Sequence, residues 1–357
     1  MTATNSGRYL RLRMAAIAVC AAICACSGSS KPQTVEFVAM GTRVSVEVAE
    51  ADAARARPAI RDIESLAVHL GQEWYPWTPQ GTGELAQLNA RLARGDTAVV
   101  SQALASLLLR TREIMDASDG SFDPGVGKLV ELWGFTTGDR SASLPVPTEN
   151  QIDAWVRDHP TFKDLHIDGT RVSSPRRDLK IDLGSIGKGR VVDLAIQILR
   201  DYGVHNAIVN AGGKMRVIGT AGDRPWRVAV RDPRNETALG WLQVEGDESV
   251  STSGDYERFV MIDGRRLHHL LDPRTGRPTE HTAAVTVLAD DATTADGAST
   301  AIFLAGPSKW RAVATALGIR YVLRVDATGK MQLSRALSKR LELLPEVRQR
   351  LAIEEID

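Results

Sequence analysis

Ile181-Asp182-Leu183-Gly184-Ser185-Ile186-Gly187-Lys188-Gly189 constrains this chain more than any other stretch. It leaves an apolar, β-branched run and enters Arg190 to Leu199, where Val192, Ile196 and Leu199 recur at helical spacing. The pattern predicts strand, Gly-rich turn, helix. Such a turn lets backbone N–H groups approach an anion, and the helix N-terminus adds partial positive charge. Lys188 adds a full charge at the same place, which suits phosphate. The glycine spacing and Gly189 after the lysine exclude a Walker loop. Read alone, the stretch also fits a plain strand-to-helix packing turn.

Residues 1–26 read as an export signal. Arg8, Arg11 and Arg13 precede an apolar or small run from Met14 to Ala25, too short for a spanning helix of roughly 20 residues. Ile23-Cys24-Ala25-Cys26, followed by Ser27-Gly28-Ser29, predicts a lipoprotein cleavage box at Cys26. A plain secretory peptide is the alternative. Residues 27–33 are then a linker and 34–357 one domain, lipid-anchored on the outer face of the cytoplasmic membrane. All three cysteines (Cys20, Cys24, Cys26) lie in the leader, so the body has no disulfide, thiolate metal site or thiol nucleophile. Any metal there is held by oxygen or imidazole, which favours a hard ion. The 44 basic and 44 acidic residues balance, and losing the leader arginines tips the body slightly acidic. That excludes a nucleic-acid surface.

From Thr42 to Val48 the chain alternates as a half-buried strand does, with Met40-Gly41 before it as a bulge or close approach. Ala51 to Leu70 reads as an amphipathic helix. Glu73-Trp74-Tyr75-Pro76-Trp77 is a dense cluster in a chain only 5% aromatic, either a loop that stacks on a planar ligand or a satellite core. Residues 84–118 read as helical, 136–147 as a surface excursion, and Leu333 to Asp357 as a solvated helix. Ala207 to Gly219 reads as two strands around a Gly-Gly break. Asp296 and Thr300 stand four apart on one helix face. A carboxylate and a hydroxyl so placed can share one Mg²⁺, or they belong to a helix N-cap.

Eight motifs then occur in order: Met40-Gly41-Thr42, Ser121-Phe122-Asp123-Pro124, Leu132-Trp133-Gly134-Phe135, the 182–189 turn, Asn210-Ala211-Gly212-Gly213, Thr252-Ser253-Gly254-Asp255-Tyr256, His269-Leu270-Leu271-Asp272-Pro273-Arg274-Thr275-Gly276 and Ala295-Asp296 with Ser299-Thr300-Ala301. Together they resemble the ApbE family of FAD:protein FMN transferases, over roughly residues 36–310. The resemblance implies an α+β fold: mixed or antiparallel sheets with helices, in two intimately packed lobes clasping FAD. It implies FAD contacts at Met40, Ser121, Phe122, Asp123, Asp182, Lys188 and Leu270, with Trp77 as the stacking aromatic. Mg²⁺ would fall on Asp296, Thr300 and Ser185. His269 would take the proton from a Thr or Ser hydroxyl of an acceptor flavoprotein, with Lys188 neutralising charge and AMP leaving. Asp272 stands near enough in sequence to orient His269. Two other readings share these residues: an FAD pyrophosphatase, with water in place of the hydroxyl, and a flavin-binding lipoprotein without turnover.

Overall fold

The computed structural model describes residues 32–78, 81–136, 146–244, 246–350 and 353–356. The predicted leader, Cys26 and most of the linker lie outside the described residues, as does most of the predicted excursion. Among the described residues, nine strands form one sheet in chain order: Gln33–Ala39, Thr42–Val48, Ala207–Ala211, Lys214–Gly219, Gly246–Gly254, Thr282–Ala289, Tyr321–Asp326, Met331–Ser334 and Ile353–Ile356. Every neighbouring pair is antiparallel except the last. Period-2 alternation separates two apolar faces. Val44, Val46, Val48, Val209, Val285 and Val287 serve one core, while Ile208, Val217, Ala284, Leu288, Leu323 and Val325 serve another.

The first face is covered by helices, chiefly from the long excursion between the second and third strands. The helices are α1 (Ala53–Glu73), α2 (Glu84–Arg94), α3 (Gln102–Ala117), α4 (Gly127–Leu132), α5 (Glu149–Arg157), α6 (Gly187–Asp201) and, later, α7 (Ala292–Ala316). Of these, α1, α2, α3, α6 and α7 share the core of this face, while α4 and α5 bury Leu129, Val130, Ile152 and Trp155 in a satellite core. In α1, Ala56, Ile60, Ile63, Ala67 and Leu70 are buried at spacings of three and four, the stripe of an amphipathic helix. The second face carries a small sheet of Trp226–Arg231, Ala238–Val244 and Leu341–Leu343. The α+β class is therefore as expected. The two expected lobes are two layers sharing one sheet, and residues 32–357 form one unit.

Four local expectations are corrected. Met40-Gly41 is not a bulge but a hairpin loop, with φ of 53° and 67°, the left-handed geometry that two-residue hairpins require. The 84–118 helix is two helices: Gly95 ends α2 at φ 82°, and the Ser101 side chain caps α3 by accepting the Leu104 N–H. The approach to the Gly-rich turn is not a strand. Ile181 is held instead by the Asn89 side chain, which accepts its N–H at 2.8 Å and donates to its carbonyl at 2.9 Å. The charged C-terminal segment is not one helix, because Leu341–Leu343 and Ile353–Ile356 each join a sheet.

α6 and α7 cross closely enough that position 189 admits no side chain. A Cβ there would lie 2.1 Å from the Ala292 carbonyl oxygen and 2.8 Å from Asp296 Cβ. Gly189→Ala should therefore cost about 1–3 kcal/mol, the usual range for overpacking. A lower urea midpoint at unchanged slope is the expected readout; an unchanged midpoint would mean that this contact does not hold the two helices.

Candidate active site

The Gly-rich turn closes on itself before α6 begins. Asp182 Oδ1 accepts the Gly184 N–H at 2.7 Å, the Gly187 N–H donates to Leu183 O at 2.8 Å, and Lys188 Nζ donates to Gly184 O at 2.7 Å. Burial pushes the Asp182 carboxyl up, against the charges of Arg258, Lys188 and Lys180. Burial pushes the Lys188 ammonium down; Asp296 and Asp182 oppose that, while Lys214 and Arg258 add to it. Met40 reaches in from the hairpin loop, its terminal methyl 3.8 Å from where a Cβ of Gly187 would stand. Ser185 is half-buried within the turn.

Asp296 is not an N-cap residue. The Asp291 side chain caps α7, accepting the Thr294 N–H at 2.7 Å. Asp193 of α6 takes the Ala292 and Thr293 N–H groups at 2.8 and 2.9 Å. Asp296 lies further in, fully buried, with Oδ2 accepting the Gly189 N–H at 3.0 Å. Its Oδ1 faces the buried ammonium of Lys214 at 3.1 Å. The Thr300 hydroxyl donates to Asp296 O at 3.3 Å and lies 3.1 Å from Ser253 Oγ.

This arrangement bears directly on the expected Mg²⁺. A hard divalent ion needs negatively charged oxygen. Of Ser185, Asp296 and Thr300 only Asp296 supplies it, and an ammonium already stands against that carboxylate. As arranged, the residues do not fit Mg²⁺.

His269 is held by backbone. Its Nδ1 lies 3.2 Å from the Arg258 carbonyl, and its N–H donates to the same oxygen at 3.1 Å. A carbonyl only accepts, so the proton is assigned to Nδ1 and Nε2 keeps a lone pair. Burial holds the imidazole well below its ordinary value, helped by the charges of Arg258, His268 and Lys188. Asp272 does not orient this ring; its carboxylate is bound by the Arg274 guanidinium and N–H at 2.8–2.9 Å. His268 is spent structurally, between Thr279 O at 2.7 Å and the Leu270 N–H at 3.2 Å.

The remaining predicted residues have partners of their own. Ser121 Oγ donates to Ser118 O and Ala301 O, and Phe122 is core. Asp123 Oδ1 accepts the Gly125 and Phe162 N–H groups at 2.7 and 3.0 Å, and Leu270 is buried. Trp77 packs on a satellite core with the Lys180 ammonium 4.2 Å from its ring centre. Tyr75, exposed beside it, feels the charges of Arg258 and Asp182. Sequence reading missed Lys214 and Arg258. Lys214 follows the Gly-Gly break directly, which was a usable signal; a backbone carbonyl such as that of Arg258 leaves none.

The sequence matches the model of the ApbE family over residues 40–323. The chain belongs to the ApbE family. It is 38% identical over 310 residues to the FAD:protein FMN transferase of Rhodobacter capsulatus, covering 86% of this chain and 58% of that relative. The chain thus spans less than two thirds of that relative's length. With the FAD:protein FMN transferase of Salmonella typhimurium it shares 31% identity over 300 residues, 82% of this chain and 84% of the relative. The crystal structure of the ApbE protein from Thermotoga maritima superposes with a TM-score of 0.79 at 32% identity, covering 87% of this chain and all of that one.

The electrostatics of His269 in this ApbE member carry a pH signature. An unfolded imidazole titrates near 6.5, and the buried one well below it, so below 6.5 the unfolded chain binds the extra proton. Stability is therefore full above about pH 6.5 and is lost as pH falls from there through the folded pKa. Between about pH 7.5 and about pH 5 the melting temperature of His269→Gln should fall less than that of the wild type. Equal falls would mean that His269 titrates as it does in water.

Proposed function

We propose that this chain is an FAD:protein FMN transferase, moving FMN from FAD to a Thr or Ser hydroxyl of an acceptor protein and releasing AMP. One observation carries the reading: His269 Nδ1 is held against the Arg258 carbonyl, which leaves Nε2 its lone pair, and the cations Lys188 and Arg258 act on the ring, with Lys214 close to Lys188. The names of the relatives point the same way. The acceptor oxygen attacks the phosphorus of the FMN half of FAD, and its proton passes to His269 Nε2. A P–O bond forms to the acceptor as the bond to the bridging oxygen breaks, and AMP leaves with that oxygen. Positioned cations matter because charge on the phosphate oxygens must be neutralised while the reactants are held in line. The Mg²⁺ brought by the resemblance has no step here, because Lys214 stands against its only charged ligand.

The same proposal extends to place. The basic n-region, the short apolar run and the Cys26 box support export and a lipid anchor on the outer face of the cytoplasmic membrane, alongside an extracytoplasmic acceptor.

The test is to incubate the full-length chain, purified in detergent, with FAD and a threonine-bearing acceptor, then chromatograph the nucleotides and weigh the acceptor. AMP release that depends on acceptor, with one FMN added to it, is expected. AMP and free FMN without acceptor would make the chain a pyrophosphatase; intact bound FAD would leave a binding protein. His269→Ala should slow transfer by about 10²- to 10⁴-fold, the usual worth of a positioned base, while FAD is still bound. Undiminished transfer would remove His269 from the chemistry.

A further inference from the structure

Lys214 opens the strand Lys214–Gly219 directly after the Gly212-Gly213 turn, where the register sets it opposite Ser251. Its side chain runs inward rather than to solvent, and the residue is only 5% exposed. A buried ammonium is tolerated only where its protons find acceptors and its charge finds a partner. Here Nζ donates to Thr252 O at 2.7 Å, to Ser251 Oγ at 3.1 Å and to Ser253 Oγ at 3.4 Å. Asp296 Oδ1 stands 3.1 Å away as the charge partner, without itself receiving a hydrogen bond. These four oxygens, three from the strand Gly246–Gly254 and one from α7, are the kind of ligand set a hard cation takes. They are arranged around nitrogen.

We propose that Lys214 is the resident cation of this site, taking against Asp296 the place a divalent ion would otherwise occupy. Two consequences follow. A divalent ion reaches Asp296 only by displacing Lys214, so the wild-type chain binds such ions weakly. Removing the ammonium uncovers a buried carboxylate oxygen without a hydrogen bond, beside the hydroxyls of Ser251, Ser253 and Thr300, and so creates a divalent site. A third consequence rests on the FAD reading above: Lys188 and Lys214 together receive the diphosphate, and nucleotide binding needs no metal. The charges support it, since Lys188 and Lys214 stand close enough to disfavour one another's charge, with Asp296 against Lys214, and a diphosphate complements such a pair of ammonium groups.

The experiment titrates Mn²⁺ alone into the full-length chain, free of FAD, and follows free Mn²⁺ by electron paramagnetic resonance. Wild type, Lys214→Arg, Lys214→Gln, Asp296→Asn and the Lys214→Gln/Asp296→Asn double variant are compared. Lys214→Gln should bind Mn²⁺ at least about tenfold more tightly than wild type, because an opposing charge has gone. The gain should vanish in the double variant, and Lys214→Arg, which keeps the charge, should match wild type. The melting temperature of Lys214→Gln should fall and then recover with Mn²⁺, whereas that of wild type should not respond. Tight, saturable Mn²⁺ binding by wild type that Asp296→Asn abolishes would overturn the proposal, and that comparison needs no variant of Lys214 to fold. FAD fluorescence quenching by wild type in EDTA tests the third consequence separately. If wild type binds FAD only when Mn²⁺ is added, that consequence is wrong; if it binds no FAD under either condition, the FAD reading fails and the Mn²⁺ result still stands.

Discussion

The buried carboxylate of Asp296 is the point on which the site depends. It joins three elements: α7, which carries it; α6, whose Gly189 N–H it accepts; and the strand that begins at Lys214. Asp193 of α6 ties the same three together from the other side, through Ala292, Thr293 and Arg216. Burying a pair such as Asp296 and Lys214 gains little over an apolar core, because desolvation offsets attraction. Breaking it is a different matter, since the survivor is left charged and dry at a cost of about 3–5 kcal/mol. The pair therefore specifies geometry more than it adds stability. It sets how far α6 slides along α7, and so where Lys188 and the Gly-rich turn stand.

That placement explains why so much charge gathers without an obvious opening motif. Asp182 and Lys188 are tied to the backbone of their own turn, and His269 to the carbonyl of Arg258. Groups pinned by main chain need no side-chain partner to hold their direction, so their charges remain available to a ligand. Preorganised charge of this kind acts without reorganising during reaction. On the proposed reading, the low imidazole pKa serves the same end: a neutral His269 at physiological pH keeps Nε2 ready for a proton.

What was legible in the sequence follows from range. Helix stripes, the strand alternation from Thr42 and the Gly-Gly hairpin are local patterns, and they formed as read. Ile181 looked like a strand because β-branched residues favour one, yet its partner is the side chain of Asn89, 92 residues away; nothing local encodes that. Ser101 and Gly95 carried legible cap signals that the longer apolar pattern hid. The ordered motifs marked Asp182, Lys188, His269 and Asp296, but they could not say that Ser121 and Asp123 spend side-chain oxygens on the backbone of Ala301 and Phe162. Asp272 illustrates the opposite error. Nearness in sequence suggested an orienting carboxylate for His269, and a guanidinium two residues on claimed it instead.

Lys214 raises a question that pairing alone does not answer, namely why a site should carry its cation on a side chain. A bound metal leaves when the ion is scarce or chelated, whereas an ammonium on a strand is present whenever the chain is folded. The exchange has a cost in charge: a lysine brings one positive charge where Mg²⁺ brings two. The deficit falls on the neighbours, and Lys188 and Arg258 are the groups placed to make it up. A site built this way trades a tunable ion for a fixed field, and that field depends on the fold. The contact between α6 and α7 then governs chemistry as much as stability, because any shift at Gly189 moves Asp296, and with it the ammonium that faces it.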